Sequence, residues 1–267
     1  MINYDDFLAV SLECSKEAGE NIRNIRATGN INTKFKEDGS PVTDADIVAD
    51  HVIRSAFTKY FPSLDVISEE MESWNAFNLQ DHNLFVLVDP LDGTSGFING
   101  SDQFTINISL VENGFPVIGV LYIPELYLMC WNDSSNIVWE ENVSTSVIRK
   151  INKFNSSSTD IARIARSIGN FDENTNAYIQ SSYVDYSLYE IASSIKFLHL
   201  ASGNVDVYPR IAPIMLWDIA AGDSIIRALG GGVMHLYERT LLNYKRSTFY
   251  TPPFIAAVNA DKVVWPN

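Results

Sequence analysis

The chain has 267 residues, 46% apolar and 19% charged, enough to bury a large core as one domain or two. Its 33 acids give a net charge of −14, which argues against non-specific binding to nucleic acid or to an anionic membrane surface, and against a nuclease. Cys14 and Cys130 lie far apart without CxxC spacing, which disfavours a disulfide framework or zinc site and fits packing residues in a reducing cytosol.

The acidic opening Met1-Ile-Asn-Tyr-Asp-Asp6 has no basic n-region, so no signal peptide is expected. Residues 5–27 place Leu8, Leu12, Ala18, Ile22 and Ile25 on one helical face, ended by Gly29-Asn30. Asp38-Gly39 and Ser40-Pro41 mark a turn. Thr43 and Asp46 form a capping-box pattern opening a second helix, which runs to about Tyr60 and should pack through Ile47, Val48, Val52 and Ala56. Asp65–Glu70 reads as a short strand ending in paired acids, and 71–83 as loop.

Leu84-Phe-Val-Leu-Val-Asp-Pro-Leu-Asp-Gly-Thr94 opens with an unbroken apolar run, the pattern of a strand buried on both faces. Pro90 cannot donate to a ladder, so the strand should end near Asp89. Asp89 and Asp92 then sit three apart on a turn, before a Gly93-Thr94-Ser95 step whose amides could face an anion. Thr105–Leu110 alternates as a half-buried strand, Asn113-Gly114 is a hairpin turn, and Val117–Tyr122 returns. A further hairpin joins Leu128–Trp131 to Ile137–Trp139. Asn155-Ser-Ser-Ser-Thr159 reads as a linker, dividing the chain into parts at 1–155 and 156–267.

Beyond it the expected elements are a strand at Ile161–Ser167, a helix at Glu173–Ser181, a helix across Ser193–Gly203 and a strand at Val205–Tyr208. A helix at Trp217–Leu229, stopped by three glycines, and strands at Val233–Leu236 and Phe254–Val258 complete the set. The most apolar long stretch, Ile211 to Leu229, holds Asp218, Asp223 and Arg227 and is a poor membrane span. His51, His82, His199 and His235 show no paired metal spacing, and the five tryptophans read as core, with Trp217 packing a helix start.

Taken separately, the acidic pieces have bland explanations. Glu69-Glu70 fits a solvated turn, Asp218 a helix cap that complements the dipole, and Thr43-x-x-Asp46 a capping box. In combination they resemble a family. Lys36-x-Asp-Gly-Ser-Pro-Val-Thr-x-Ala-Asp46, Ser68-Glu-Glu70, Asp89-Pro-Leu-Asp-Gly-Thr94 and Trp217-Asp-x-Ala-Ala-Gly222 are similar to motifs of the inositol-monophosphatase superfamily of magnesium-dependent, lithium-sensitive phosphatases. Phe104–Leu110, Val120–Pro124, Ser193–Phe197 and Asp206–Arg210 resemble its CysQ-type 3′(2′),5′-bisphosphate nucleotidase branch, active in sulfur metabolism. The resemblance spans roughly residues 5–260. Ser95-Gly96 stands where the family often carries Lys-Glu, Ala165-Arg-Ser-Ile168 where nucleotidases often carry Ser-Arg-Ser-His, and Ala192 where glycine is usual. All three departures fall near where substrate choice is made.

The resemblance implies an αβαβα sandwich of the inositol-monophosphatase/fructose-bisphosphatase type, with Asp218 reaching across from the second part. It implies two or three Mg²⁺ ions: a first held by Glu69, Asp89 and the Leu91 carbonyl, a second by Asp89, Asp92 and Asp218. The Gly93 and Thr94 amides would bind phosphate, and Asp46 with Thr94, assisted by Glu69, would activate water. Lys196 and Arg210, beside Tyr208, are the candidates for a second phosphate, with Arg166 behind them; the bland reading is a surface lysine and a strand-end arginine. The implied reaction converts adenosine 3′,5′-bisphosphate to AMP and phosphate. An inositol or sugar phosphatase and a non-catalytic metal- or partner-binding member are the alternatives. The expected setting is cytoplasmic, with a peripheral position at the inner membrane face as a variant, and a homodimer is compatible.

Overall fold

The computed structural model describes residues 2–36, 38–153, 161–168 and 172–266. The linker expected at Asn155–Thr159, and with it the division near 155, lies outside the described residues. The chain opens on α1 (Tyr4–Ala27), whose Asn3 cap accepts the Asp5 and Asp6 amides and whose Phe7, Ala18 and Ile22 are fully buried. A small antiparallel hairpin that the sequence did not announce follows, β1 (Thr33–Phe35) and β2 (Pro41–Thr43). Its strands have three residues each, too short for a period to register. The hairpin delivers Thr43 as N-cap of α2 (Asp44–Tyr60), with both halves of the capping box formed.

The buried face of α2 differs from the expected one. Ile47 and Val48 are exposed, while Ala45, Ala49, Ile53 and Phe57 are fully buried. That i, i+4, i+8, i+12 row has small residues at its start, so larger aliphatics on the outer face mislead a pattern count. Phe7 of α1 stacks on Phe57 at 5.3 Å between ring centroids.

Seven strands then form one sheet: β3 (Asp65–Ser68), β4 (Leu84–Asp92), β5 (Thr105–Glu112), β6 (Phe115–Ile123), β7 (Leu128–Asn132), β8 (Val138–Asn142) and β9 (Val147–Ile151), with the short α3 (Thr94–Ile98) between β4 and β5. The strands lie in sequence order; β3 and β4 are parallel and the rest antiparallel. β9 was not anticipated, because its residues are nearly all exposed and do not alternate. Asn113 and Gly114, both with positive φ, make the tight β5–β6 turn.

The second sheet is built from β10 (Ala162–Arg166), β11 (Tyr186–Glu190), β12 (Val207–Arg210), β13 (Gly232–His235) and β14 (Phe254–Ala257), in the order β11-β10-β12-β14-β13. With it come α4 (Glu173–Ser182), α5 (Ile195–Ala201) and α6 (Trp217–Ala228). β11, with four exposed residues, was also not foreseen.

Three apolar clusters define five layers. Phe7, Ile22, Ile53 and Phe57 meet Val86, Val88, Ile108 and Val120 between the outer helices α1 and α2 and the large sheet. Phe85, Leu87 and Leu121 meet Phe197, Trp217, Ile225, Tyr208 and Phe254, so α5 and α6 lie between the sheets. Ile164, Val207 and Ile255 meet Tyr178 and Ile179, which places α4 on the far side. This is the αβαβα sandwich. Successive residues of β4 feed opposite clusters, which explains its unbroken apolar run.

Two expectations for the central strands are corrected. β4 continues past Pro90 to Asp92, because the ladder to β5 is interrupted between Asp89 and Asp92 by a bulge where no proline N–H is required. β5 is buried on both faces rather than half-buried. Two of its polar residues reach the second half of the chain: Thr105 bonds Ser193 and Asn107 bonds Ser194.

The middle layer depends on small residues. A Cβ at Gly119 of β6 would lie 2.3 Å from the Ala221 carbonyl oxygen of α6, and one at Gly222 would lie 2.1 Å from the Phe197 ring. Gly119→Ala is therefore expected to destabilise the protein by about 1–3 kcal/mol, read as a lower urea midpoint with unchanged slope.

Candidate active site

The bulge at the end of β4 aims carboxylates from separate elements at one point. Oxygens of Glu69, Asp89 and Asp218 lie within 4.8 Å of one another. Asp89 is buried where the bulge begins, and its Oδ1 accepts the Leu91 amide at 3.0 Å. Glu69 follows β3 directly, and its amide bonds the Val88 carbonyl. Asp218 stands in the first turn of α6, where its Oδ2 accepts the Met215 amide at 3.0 Å. It thus complements the helix start as well as facing the other acids.

Asp92 is fixed from the other half of the chain. Its Oδ2 accepts the Ser194 amide at 2.7 Å and the Ser193 and Ser194 hydroxyls at 2.8 Å each. The Ser194 hydroxyl also reaches the Asp218 carbonyl and receives the Asn107 amide group. Ser193 adopts a left-handed backbone, φ +56°, which presents its hydroxyl and the following amide to the same oxygen.

The Thr94 hydroxyl donates to Asp46 Oδ1 at 2.9 Å and lies 3.1 Å from the Leu91 carbonyl. Asp46 is oriented by the capping box, its Oδ2 taking the Thr43 amide at 2.8 Å. Gly93, φ +99°, turns the chain into α3, whose first amides have no intrahelical acceptor. The cap and the Thr94 pair therefore coexist in Asp46.

Several groups went unassigned in the sequence. Lys36, set at the β1–β2 turn, reaches both Glu69 and Glu70 at 2.7 Å. It stood inside a motif without a role, and only the unforeseen hairpin shows where it points. Ser193 and Ser194 were read as helix, yet they act as a donor pair just before it. Gln103 holds the Ala192 amide at 2.8 Å, on the approach to that pair.

A cavity of about 600 Å³ opens beside the acids. Its lining includes the acids Asp92 and Asp218 with Gly93, the group Lys196, Tyr208 and Arg210, and the uncharged Ser95, Gly96, Asn99 and Gln103. Neither Lys196 nor Arg210 is the surface residue of the bland reading, for both are buried. The Lys196 ammonium donates to the Ile191 and Ser193 carbonyls, and Arg210 to the Ala212 carbonyl and the Ser167 hydroxyl. Arg166 is not in the lining; it pairs with Glu190 and Asn176.

The electrostatics fit a bound cation. Burial, then the charges of Glu69, Asp92 and Asp218, hold the Asp89 carboxyl well above the usual carboxylate range. Burial and then Asp92 do the same to Asp218. Burial raises Glu69 against the pull of Lys36, and raises Asp46 against the hydrogen bonds from Thr43 and Thr94. Burial also lifts Glu70 to about 7. Acids packed this closely cannot all stay ionised without compensating charge, and a donor set made of carboxylate and carbonyl oxygens suits a hard divalent ion.

Comparison with known proteins agrees with this geometry. The inositol monophosphatase family matches residues 3–262, and the chain belongs to that family. Within it, the chain is 36% identical over 220 residues to the 3′(2′),5′-bisphosphate nucleotidase CysQ of Salmonella typhimurium, covering 82% of this chain and 86% of the relative. It is 32% identical over 249 residues to the protein of that name from Escherichia coli K12, covering 92% and 97%. The crystal structure of CysQ from Bacteroides thetaiotaomicron, described as a bacterial member of the inositol monophosphatase family, superposes with TM-score 0.80 at 29% identity over 94% of this chain and 97% of that one.

The raised carboxyls have a measurable consequence. In the folded, metal-free protein they keep protons that the unfolded chain releases at lower pH, as Glu70 does between its ordinary 4.5 and about 7. This contribution to stability is full below the unfolded pKa and is lost as pH rises through the folded one. Urea midpoints measured in EDTA should therefore be higher at pH 5 than at pH 8, and added Mg²⁺ should narrow or reverse the difference.

Proposed function

We propose that this chain is a metal-dependent phosphomonoesterase that removes the 3′-phosphate of adenosine 3′,5′-bisphosphate, releasing AMP and phosphate. The observation that carries the reading is one cavity lined both by acids and by two buried cations without carboxylate partners among the described residues. The acids suit a metal-held reacting phosphate and the cations a second phosphate. The bisphosphate nucleotidases among its relatives support the same substrate class. An inositol or polyol monophosphate would leave the cations without a partner, so that alternative is not favoured. No described helix is long and apolar enough to cross a membrane.

Glu69, Asp89, Asp92, Asp218 and the Leu91 carbonyl would hold Mg²⁺. Bound there, two or more such ions would polarise the phosphoryl oxygens and offset charge at the attacking and leaving oxygens. The chain's own residues supply the proton path. An attacking water gives its proton to Thr94 Oγ1 as the Thr94 proton passes to Asp46 Oδ1, whose burial favours taking it. The water oxygen bonds to phosphorus, the P–O bond to the 3′ carbon's oxygen breaks, and solvent protonates the leaving alkoxide. The first-turn amides of α3 bind the phosphate oxygens, and Lys196 and Arg210 hold the 5′-phosphate.

A phosphate-release assay checks this. Asp92→Asn should abolish Mg²⁺-dependent turnover, and Thr94→Ala should lower kcat about 10²–10³-fold with a small change in KM. Lys196→Ala and Arg210→Ala should raise KM for adenosine 3′,5′-bisphosphate far more than for inositol 1-phosphate. Faster wild-type turnover of inositol 1-phosphate would refute the substrate, and no turnover of either would favour a non-catalytic role.

A further inference from the structure

Arg210 is held by a device remote from the acids. It ends β12, and its Nε donates to the Ala212 carbonyl at 3.1 Å, two residues ahead. That contact requires the 210–212 turn to keep one shape. The Ala212 amide donates to Asp172 Oδ2 at 2.8 Å, and the Ile211 amide to the Thr175 hydroxyl at 2.8 Å. The Thr175 hydroxyl in turn donates to Asp172 Oδ2, and Thr175 is buried. Two consecutive backbone N–H groups are thus clamped by two side chains of another element.

Asp172 has a second task with its other oxygen. Oδ1 accepts the Asn174 amide at 3.1 Å and caps α4. Capping needs a single acceptor, and serine or asparagine supplies one. A carboxylate supplies two, and here the second faces the turn that carries Arg210. Against burial, the Thr175 hydroxyl and then the Ala212 amide hold the Asp172 carboxyl below the usual range.

We propose that Asp172, with Thr175, is the positioning residue that sets Arg210 against the cavity, and so determines affinity for the second anionic group of a bisphosphate substrate. The inference rests on the reading of Arg210 as a phosphate contact. Asp172 does not line that cavity, although with Thr175 it lines a small cleft that shares Arg210, and its hydrogen bonds reach Arg210 through the turn.

Steady-state kinetics with Mg²⁺ on the full-length protein test it, using adenosine 3′,5′-bisphosphate and 3′-AMP as paired substrates. Asp172→Ser and Asp172→Asn keep a helix cap but remove the acceptor facing Ala212. Each should raise KM for the bisphosphate about tenfold, with kcat within about twofold and KM for 3′-AMP unchanged. Thr175→Val should act in the same direction, and Thr175→Ser, which restores the hydroxyl, should recover KM to within about twofold of wild type. Equal KM changes for the two substrates, or a fall in kcat for both, would overturn the proposal and leave Asp172 a structural cap. Arg210→Ala separates the two readings. If it raises KM for the bisphosphate and the Asp172 variants do not, the positioning role fails alone. If it leaves the bisphosphate KM unchanged, the reading of Arg210 itself fails.

Discussion

Asp89 is a carboxylate in a place that disfavours charge. It lies where the bulge begins in a strand buried on both faces, and Glu69 and Asp218 share its pocket within 4.8 Å. Its one hydrogen bond described here comes from the Leu91 amide, which cannot offset the repulsion of the neighbouring acids. A stable core would place an apolar residue there. The acids persist at a cost in stability, as sites built for function do. The bulge is what makes the cluster geometrically accessible. By removing two residues from the ladder, it lets Asp89 and Asp92 leave one strand in different directions, and it frees the Leu91 carbonyl for the Thr94 hydroxyl.

The consequence is that the site and the packing of the sheets share residues. Asp92 is tied by three short bonds to Ser193 and Ser194, which start α5 between the sheets, and Ser194 continues to the carbonyl of Asp218 on α6. Any slip of the large sheet against the middle helices would separate Asp218 from Asp89. The close approach of Gly119 to Ala221 opposes that slip. Small residues in Ala220-Ala221-Gly222 therefore serve the acid cluster through contact distance, without touching it.

Much of this was legible in the chain. The helices α1, α2, α4 and α6 and the strands of the large sheet up to β8 follow from period, apolar runs and turn chemistry. What was not legible has identifiable causes. β1, β2, β9 and β11 are short or exposed, so no alternation marks them. The inner face of α2 begins with alanines, and Pro90 obscures a bulge. Among the expected site residues, Glu69, Asp89 and Asp218 come within 4.8 Å, Asp92, Asp218, Lys196, Tyr208 and Arg210 line one cavity, and Thr94 bonds Asp46. Lys36 and the Ser193-Ser194 pair did not declare themselves, since their roles depend on a hairpin and on a positive φ, and neither has a sequence period.

The cationic pair distinguishes this cavity from the rest of the molecule. Elsewhere, arginines beside buried acids are neutralised by them: Arg163 meets Asp206 at 2.7 Å, Arg227 meets Asp223 at 3.0 Å, and Arg54 meets Asp50 at 2.6 Å. Lys196 and Arg210 are held by carbonyls and a hydroxyl instead, which orient a cation without cancelling its charge. The lysine registers the tension: burial, and secondarily Arg210, draw it down to about 8, although Asp92 and Asp218 oppose the shift. Under the proposed function, a substrate phosphate would relieve both groups at once. In a chain of net charge −14, long-range attraction cannot gather an anionic substrate, so selectivity has to come from local, uncancelled charge inside the cavity. Ser95, Gly96, Asn99 and Gln103, which also line the cavity, carry no formal charge and offer hydroxyl and amide groups. A ligand with an anionic end and a neutral, hydrogen-bonding body satisfies both sets of residues. The charge of the cavity is therefore unevenly placed, with its cations at Lys196 and Arg210 and its carboxylates at Asp92 and Asp218.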